Sequence, residues 1–287
     1  MSFADRIRAC NNFDPARVVP LVVASGVSDQ RIGWLRHNNA TALARFPNVF
    51  AVEPERVRLV AHGDVDSISA AVDAVVDQLV VHNHVPKWRN ETFDAMPCWG
   101  ARPVFRLDRG AVPFFGVRAY GVHLNGYREV GGRPHLWIGR RAPNKQIAPD
   151  KLDNIVAGGI GNGHGIVATL YKEAEEEGGV PAPLVDRAVS AGAVSYVMET
   201  ELGIRDDVLF VYDLEVPADF TPKNSDGELV EFTLMPADEV LDRVRTTDDF
   251  KFNVNLVVLD FAVRHGLIAL DDPEYLDVAC GLHRPLD

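Results

Sequence analysis

The sequence predicts an α/β fold: an α/β/α sandwich around a mixed sheet, preceded by a smaller α+β domain. Segments rich in β-forming residues alternate with amphipathic helical segments along the second half of the chain. The 287 residues are 47% hydrophobic and 24% charged, which is typical of globular proteins with one or two domains. The pattern changes near residue 110, so we expect one domain at 1–110 and a second at 111–287.

Residues 1–110 predict short strands and helices. The apolar run 18–23 and the segment 31–35 are predicted strands. Residues 38–46 carry apolar side chains at helical spacing. Ser67 is the predicted N-cap of a further helix, whose apolar stripe extends to Leu79.

Residues 111–287 predict the larger domain. Residues 114–124 alternate in polarity, Asn125-Gly126 is a strong turn signal, and residues 134–139 are the predicted partner strand of a hairpin. The remaining predicted strands are 193–198, 208–216 and 229–235, and the predicted helices are 166–178, 236–245 and 252–265.

Charge and cysteine content restrict the classes of partner. The net charge is −12, so nucleic acids and anionic membranes are predicted not to be partners, whereas a bound metal can still attract a small phosphorylated substrate. Cys10, Cys98 and Cys280 are far apart, which argues against a disulfide framework and a zinc site. The first residues contain no apolar signal segment, so we predict a cytoplasmic protein.

A glycine-rich loop followed by an acidic helix is the most informative stretch. Five glycines lie between residues 158 and 165, and the predicted helix begins near Ile166. Glu173, Glu176 and Glu177 are spaced i, i+3 and i+4, which places three like charges on one helix face. Such a face is often merely solvated, but carboxylate oxygens are also the ligands of hard divalent cations. The flanking glycines favour a site for Mg²⁺ or Mn²⁺.

This stretch resembles the signature of the Nudix hydrolases. In that family Gly is followed after five residues by Glu, and after seven more by Arg-Glu, an aliphatic residue, any residue, Glu-Glu, any residue, Gly and an aliphatic residue. Gly158 and residues 172–180 match in register, apart from Lys172 in place of Arg. His164 occupies the position of the first Glu. The resemblance implies the Nudix form of the predicted sandwich and a metal-dependent pyrophosphohydrolase.

A finer resemblance covers almost the whole chain. It is to the Nudix proteins related to the hydrolase part of fungal thiamine pyrophosphokinase fusions, with plant chloroplast relatives, which carry an extra N-terminal domain of similar length. The matching stretches are 11–13, 32–35, 152–159, 212–214, 226–228, 231–232 and 250–253. This likeness implies hydrolysis of thiamine diphosphate, or of its oxidised or damaged analogues, to monophosphates.

The Nudix resemblance also assigns roles to individual residues. It implies that Glu173, Glu176 and Glu177 bind the metal together with the Gly158 carbonyl, and that Lys172 orients the catalytic Glu. The general base is either Glu173 or a downstream acid. The candidates for substrate contact are Glu228, Glu231, Lys145 and Arg140.

Two other functions and the assembly state are left open by the sequence. One alternative is hydrolysis of nucleoside diphosphate derivatives such as ADP-ribose or nucleotide sugars. Another is a degenerate Nudix module that only binds, which His164 and Lys172 motivate. Family analogy suggests a homodimer.

The aromatic residues are predicted to belong to the packing of the protein. Trp34, Phe115, Tyr120 and Trp137 are assigned to the core, although each is able to stack on a heteroaromatic ring. Trp88 and Trp99 are likewise predicted to be packing residues rather than a substrate clamp.

Overall fold

The computed structural model describes residues 1–25, 28–86 and 91–286. The first part of the chain contains α1 (Phe3–Cys10), a 3₁₀ turn (Pro15–Arg17), β1 (Val18–Ser25), β2 (Ser28–Arg36), α2 (His37–Leu43), β3 (Phe50–Val52), β4 (Val57–Leu59), α3 (Val65–Val81), β5 (Thr92–Ala95), β6 (Phe105–Asp108) and α4 (Val112–Phe115). It continues with β7 (Arg118–Val130), β8 (Arg133–Arg141), β9 (Leu152–Asp153), β10 (Val156–Gly159), α5 (Ile166–Gly178), α6 (Ala182–Val185), β11 (Val189–Glu199), β12 (Ile204–Glu215), β13 (Leu229–Pro236), α7 (Ala237–Thr246), α8 (Val254–Arg264) and α9 (Tyr275–Gly281).

The strands form three sheets. Four strands of the N-terminal part have the order β2-β1-β4-β3, and β5 pairs with β6 as a separate antiparallel ribbon. The large sheet has the order β11-β12-β7-β8-β13, with β10 added beside β7 and β9 beside β8. Within it β12 runs parallel to β7 and the other pairs are antiparallel. The mixed sheet and the smaller α+β part confirm the predicted fold class.

Helices cover both faces of the large sheet. On one face, Leu170 and Ala174 of α5 pack against Leu124 of β7 and Val156 of β10. On the other face, α7 and α8 join a larger core with strands β8, β11 and β12. Among the described residues, no helix is long and apolar enough to cross a membrane.

The first helix packs with the C-terminal half of the molecule. Phe3 and Ile7 of α1 lie in the same buried cluster as Val278 and Leu282, and Arg6 Nε donates to the Val244 carbonyl at 2.7 Å. Helix α1 therefore packs in the same hydrophobic core as the last helices of the chain. The domain limits 1–110 and 111–287 remain a prediction.

The predicted turn at Asn125-Gly126 is wrong, because both residues lie inside β7. The Asn125 side chain donates to Asp213 Oδ1 at 3.0 Å, and a Cβ on Gly126 would overlap the Ile155 side chain. The hairpin instead turns at Gly131-Gly132, whose φ angles of 61° and 75° are left-handed. Glycine at position 126 is therefore explained by its packing against Ile155 and not by a turn.

Two further local predictions are corrected by the structure. The N-cap of α3 is Asp64 rather than Ser67, since the Asp64 carboxylate accepts a hydrogen bond from the Ser67 amide at 2.8 Å. Phe114 and Phe115, predicted to begin a strand, belong to the short helix α4 because Pro113 opens that turn and Gly116 closes it with φ 58°. The other predicted strands and helices are confirmed, with ends shifted by a few residues.

A buried chain of hydrogen bonds crosses the centre of the large sheet. His123 Nδ1 lies 2.8 Å from Asn154 Oδ1, and the Asn154 amide donates to Asn125 Oδ1 at 2.8 Å. Asn125 continues the chain to Asp213, which also pairs with Arg264 of α8. Burial, reinforced by the nearby Lys251 ammonium, lowers the pKa of His123 to about 4. The imidazole is therefore neutral and donates through Nδ1.

The stability of the fold is expected to depend on the ionisation of His123. Below its unfolded-state pKa of about 6.5 the unfolded chain binds a proton that the folded chain excludes down to pH about 4, so stability falls with pH in that window. Between about pH 7 and about pH 5 the wild type should lose about 2 kcal/mol more than His123→Gln. Urea unfolding of both proteins at each pH measures the difference, and equal losses would contradict a buried neutral imidazole.

Candidate active site

The glycine-rich loop connects β10 to α5 and fixes how the helix meets the sheet. The helix begins after Gly165 and ends at Gly179, whose φ is 58°. A Cβ at Gly179 would lie 2.6 Å from the Lys223 carbonyl oxygen, so this end of the helix requires glycine. With both ends held, one face of α5 is pressed against the backbone of β10.

Gly158 allows the Glu173 side chain to lie directly on β10. A Cβ at Gly158 would overlap Cγ of Glu173 and lie 2.9 Å from Oε2. Burial raises the pKa of the Glu173 carboxyl, although Lys172 opposes that rise. Glycine at 158 is therefore required to bring a carboxylate against the strand, in addition to any role of its carbonyl.

Glu177 is a buried carboxyl one turn further along the same face. Its residue is 5% exposed, and Oε2 accepts a hydrogen bond from the Ala157 amide at 2.6 Å. Burial raises the pKa of Glu177 to about 8. Within the described residues no lysine, arginine or histidine forms an ion pair with it. A buried acid without a cationic partner is the arrangement that a bound cation stabilises.

Glu176 and Lys172 lie on the outer side of this face. Lys172 Nζ is 3.0 Å from Glu173 Oε1 and 2.9 Å from Glu176 Oε2, and these carboxylates raise the pKa of Lys172. Lys172 therefore holds two of the three predicted carboxylates through single-point contacts, without the bidentate fork of an arginine.

The four predicted substrate contacts separate into two ion pairs. Glu228 pairs with Lys145 and lies close enough to raise the pKa of Glu173 and Glu177. Burial opposes ionisation of Glu228, but Lys145 lowers its pKa. Arg140 and Glu231 pair with each other at 3.0 Å, and each side chain is about half exposed. The structure thus brings Glu228 and Lys145 to the acidic face and leaves Arg140 and Glu231 on the strand surface.

Arg109 is a site residue that the sequence analysis did not find. It follows β6, and its guanidinium lies 5.7 Å from the Phe93 ring centroid and 3.8 Å from the Cβ position of Gly159. Burial opposes its charge, but Glu91, with Glu228 and Glu173, raises the pKa of Arg109. Its Nη1 is 2.7 Å from Glu91. No motif indicates it, because the contact joins strands far apart in the chain.

Beside the loop lies a pocket of about 140 Å³. It is lined from the N-terminal part by residues that include Phe93, Asp94 and Trp99, and from the larger sheet by Tyr120 and Ile160. Exposed His164, which stands at the position of the first Glu of the signature, also lines the pocket.

Five of the six predicted aromatic residues lie in the described part of the chain. Trp99 packs against the rings of Tyr120 and Phe210, as predicted, but it is also 41% exposed and lines the pocket. Tyr120 lines the same pocket while being buried. Trp34, Phe115 and Trp137 do not line it. Trp88 lies outside the described residues.

The acidic face fits a divalent cation by its chemistry. Its donors are hard oxygens, Gly158 leaves the space that Glu173 fills, and buried Glu177 forms no ion pair with any described residue. Across residues 1–25, 28–86 and 91–286, no three Asp, Glu, His or Cys side chains are already gathered to hold a metal. Lys172 instead bridges Glu173 and Glu176, so binding requires it to move aside.

Comparison with known proteins agrees with this geometry. Residues 122–255 match the family model described as NUDIX domain, and residues 2–119 match a domain of unknown function, DUF4743. Nudix hydrolase 20, chloroplastic, of Arabidopsis thaliana is 37% identical over 96% of this chain and 76% of its own. Nudix hydrolase 24, chloroplastic, of the same plant is 36% identical with the same two coverages.

A solved structure is also similar to part of this chain. The crystal structure of DR0079 from Deinococcus radiodurans is 22% identical and covers 58% of this chain and 97% of its own, with a TM-score of 0.45. The two plant relatives and the matched domain carry the assignment. This chain belongs to the Nudix hydrolases and is a pyrophosphohydrolase.

Proposed function

We propose that this enzyme hydrolyses thiamine diphosphate, or its oxidised or damaged analogues, to the monophosphate and phosphate with Mg²⁺ or Mn²⁺. The hydrolytic part of the proposal rests on Glu173 and Glu177, whose side chains lie against β10 near Gly158. Glu177 is buried, and no cationic side chain among the described residues forms an ion pair with it. The thiamine part is supported by the resemblance of the short stretches outside the signature.

Glu173, Glu176, Glu177 and the Gly158 carbonyl are the groups that would hold the metal. When bound, the cation supplies charge neutralisation at the diphosphate and lowers the pKa of a coordinated water. Lys172, which contacts both Glu173 and Glu176, would be free to contact the phosphate oxygens when these two carboxylates hold the metal. Arg109 and Lys145 approach the acidic face from two other elements and neutralise the remaining phosphate charge.

The proton of the attacking water needs a carboxylate base. Glu173 is our first choice, because burial raises the pKa of its carboxyl above that of a free glutamic acid. Glu228 is the second candidate, since it lies near Glu173, although Lys145 holds its pKa low. A lower pKa makes a weaker base, which favours Glu173.

A panel of substrates tests the proposal against its alternatives. The purified protein is incubated with Mg²⁺ and thiamine, oxythiamine and oxothiamine diphosphates, ADP-ribose and nucleotide sugars, while phosphate and monophosphate release is measured. Preferential cleavage of the thiamine compounds, lost on chelation, supports the proposal. Cleavage of only the nucleotide compounds overturns its thiamine part, and binding without turnover in either metal identifies a degenerate module.

We also propose a homodimer in the cytoplasm. The two plant relatives, in contrast, are named as chloroplastic proteins. The cysteines that the structure describes are free, which suits a reducing compartment. Light scattering during gel filtration tests the dimer, and imaging of the tagged protein in its native cell tests the compartment.

Gly158→Ala should separate stability from catalysis. The new Cβ meets the movable end of Glu173, so the free energy of unfolding changes by about 1 kcal/mol or less, while displacement of the carboxylate lowers kcat about 100-fold. Gly165→Ala is the matched control, because a Cβ there has nothing within 4 Å. Equal kcat in the two variants would contradict the role of Gly158.

Glu177→Gln should abolish turnover without unfolding the protein. The amide keeps an acceptor for Ala157 and removes a charge that burial disfavours, so the melting temperature stays the same or rises. We expect kcat to fall about 100-fold or more and Mn²⁺ affinity to weaken. Glu175→Gln changes the same charge on an exposed side of α5 and is the control. Similar losses in both variants would indicate general electrostatics rather than a ligand.

Arg109→Gln should weaken the binding of both the substrate and the transition state. Removing a guanidinium from the diphosphate site should lower kcat/KM by about 100-fold, whereas Arg109→Lys retains the charge and recovers part of that loss. The exposed pair residue Arg140 provides the control Arg140→Gln, which changes the same charge on the strand surface. Steady-state kinetics with one substrate measures all three, and an unaffected Arg109→Gln would remove this residue from the site.

A further inference from the structure

The pocket beside the glycine-rich loop is not used by the hydrolytic chemistry described above. Its volume of about 140 Å³ is close to that of the ~150 Å³ cavity that accommodates a benzene ring. It therefore has room for one six-membered ring. The fused rings and ribose of a nucleoside would extend outside it.

The walls of the pocket are suited to a flat ring. The Trp99 ring is 4.7 Å from Tyr120 and 5.0 Å from Phe210, measured between centroids. Tyr120 and Phe210 are nearly parallel, with an interplanar angle of 15°. Trp99 remains 41% exposed, so a large apolar surface is available at the opening. Aromatic rings bind other flat rings by offset or edge contacts of this kind.

Two buried polar atoms at the pocket lack a hydrogen-bond partner among the described residues. One is the hydroxyl of Tyr120, a residue only 6% exposed, and the other is Oδ1 of Asp94. Asp94 Oδ1 forms an ion pair with Arg106 Nε at 3.6 Å, and Arg118, which pairs with Asp206 at 2.9 Å, also interacts with the Tyr120 side chain. Burial raises the pKa of Tyr120 to about 12, so its hydroxyl is a donor. Buried polar atoms are normally satisfied, which points to a ligand.

One hairpin connects this pocket to the diphosphate site. The Thr92 carbonyl of β5 accepts a hydrogen bond from the Asn162 amide at 2.7 Å, which fixes the glycine-rich loop against the hairpin. Trp99 lies in the connection between β5 and β6, and Arg109 follows β6 at the other end. The two ends of the β5–β6 ladder are separated by its four residue pairs, a distance of about 10 Å along the strands.

We propose that this pocket binds a single amino-substituted nitrogen heteroaromatic ring, carried by the diphosphate substrate. Trp99 stacks on the ring, the Tyr120 hydroxyl donates to a ring nitrogen, and Asp94 accepts from the amino group. The N-terminal region thus selects the substrate while the acidic face hydrolyses it. The inference rests on the proposed function only in taking the ring to be part of the diphosphate substrate.

The first test compares a ring-bearing and a ringless diphosphate. The ratio of kcat/KM for thiamine diphosphate over methyl diphosphate should fall about 10- to 100-fold in Trp99→Leu and recover in Trp99→Phe. Tyr120→Phe should lower the same ratio about 10-fold with a nearly unchanged melting temperature, since the Tyr120 hydroxyl makes no hydrogen bond of normal geometry within the described residues. Tyr275→Phe in α9 is the control. An unchanged ratio in both pocket variants would overturn the proposal.

The second test needs no turnover. Saturation-transfer NMR with 4-aminopyrimidine should show binding to the wild type, no binding to Trp99→Leu and renewed binding to Trp99→Phe. The ring site is overturned if 4-aminopyrimidine binds Trp99→Leu as well as the wild type. It is also overturned if adenine binds better than 4-aminopyrimidine. If no diphosphate is hydrolysed while 4-aminopyrimidine binds through Trp99, the proposed function fails and the ring site stands. Hydrolysis of diphosphates without such binding overturns the ring site alone.

Discussion

The approach of α5 to β10 at Gly158 is the constraint on which the site depends. Any side chain at 158 would occupy the volume of Glu173, and the same packing buries Glu177 beneath the Ala157 amide. Burial of an acid is unfavourable by itself, so the fold holds an unfavourable group where a cation would compensate for it. The left-handed Gly179 ends the helix beside Lys223, where a Cβ would lie 2.6 Å from the Lys223 carbonyl oxygen.

Two of the stretches that carry the finer resemblance, 152–159 and 250–253, meet beside this contact. Lys251, just before α8, lies 3.4 Å from Asp153, and Asp153 also accepts from Arg141 at 2.7 Å. Burial lowers the pKa of Lys251, and the Asp153 carboxylate opposes that shift. The Lys251 amide donates to the Leu152 carbonyl at 3.0 Å, which fastens the C-terminal segment to the strand leading into β10. These residues thus support the backbone on which Glu173 and Glu177 rest.

Sequence patterns predicted what depends on local spacing and missed what depends on distant contacts. The acidic helix was predictable from the i, i+3, i+4 spacing of its glutamates and its closing glycines. Gly126 was assigned to a turn because its partner, Ile155, lies on another segment. Arg109 and Trp99 carry no motif either, since their importance arises only when β5 and β6 fold against the glycine-rich loop. For the same reason, the separation of Arg140 from the acidic face was not visible in the sequence.

The position of the β5–β6 hairpin affects how substrate choice can vary. The residues proposed to hold the metal are on β10 and α5. A change of one side chain there disturbs the packing of the helix against Gly158. Trp99 instead lies in the connection between two short strands, partly exposed and outside that packing. Loops tolerate substitution better than packed elements, so this connection can change the ring that is recognised without moving the carboxylates. In the function proposed here, selection of the organic group and cleavage of the diphosphate therefore depend on separate parts of the protein.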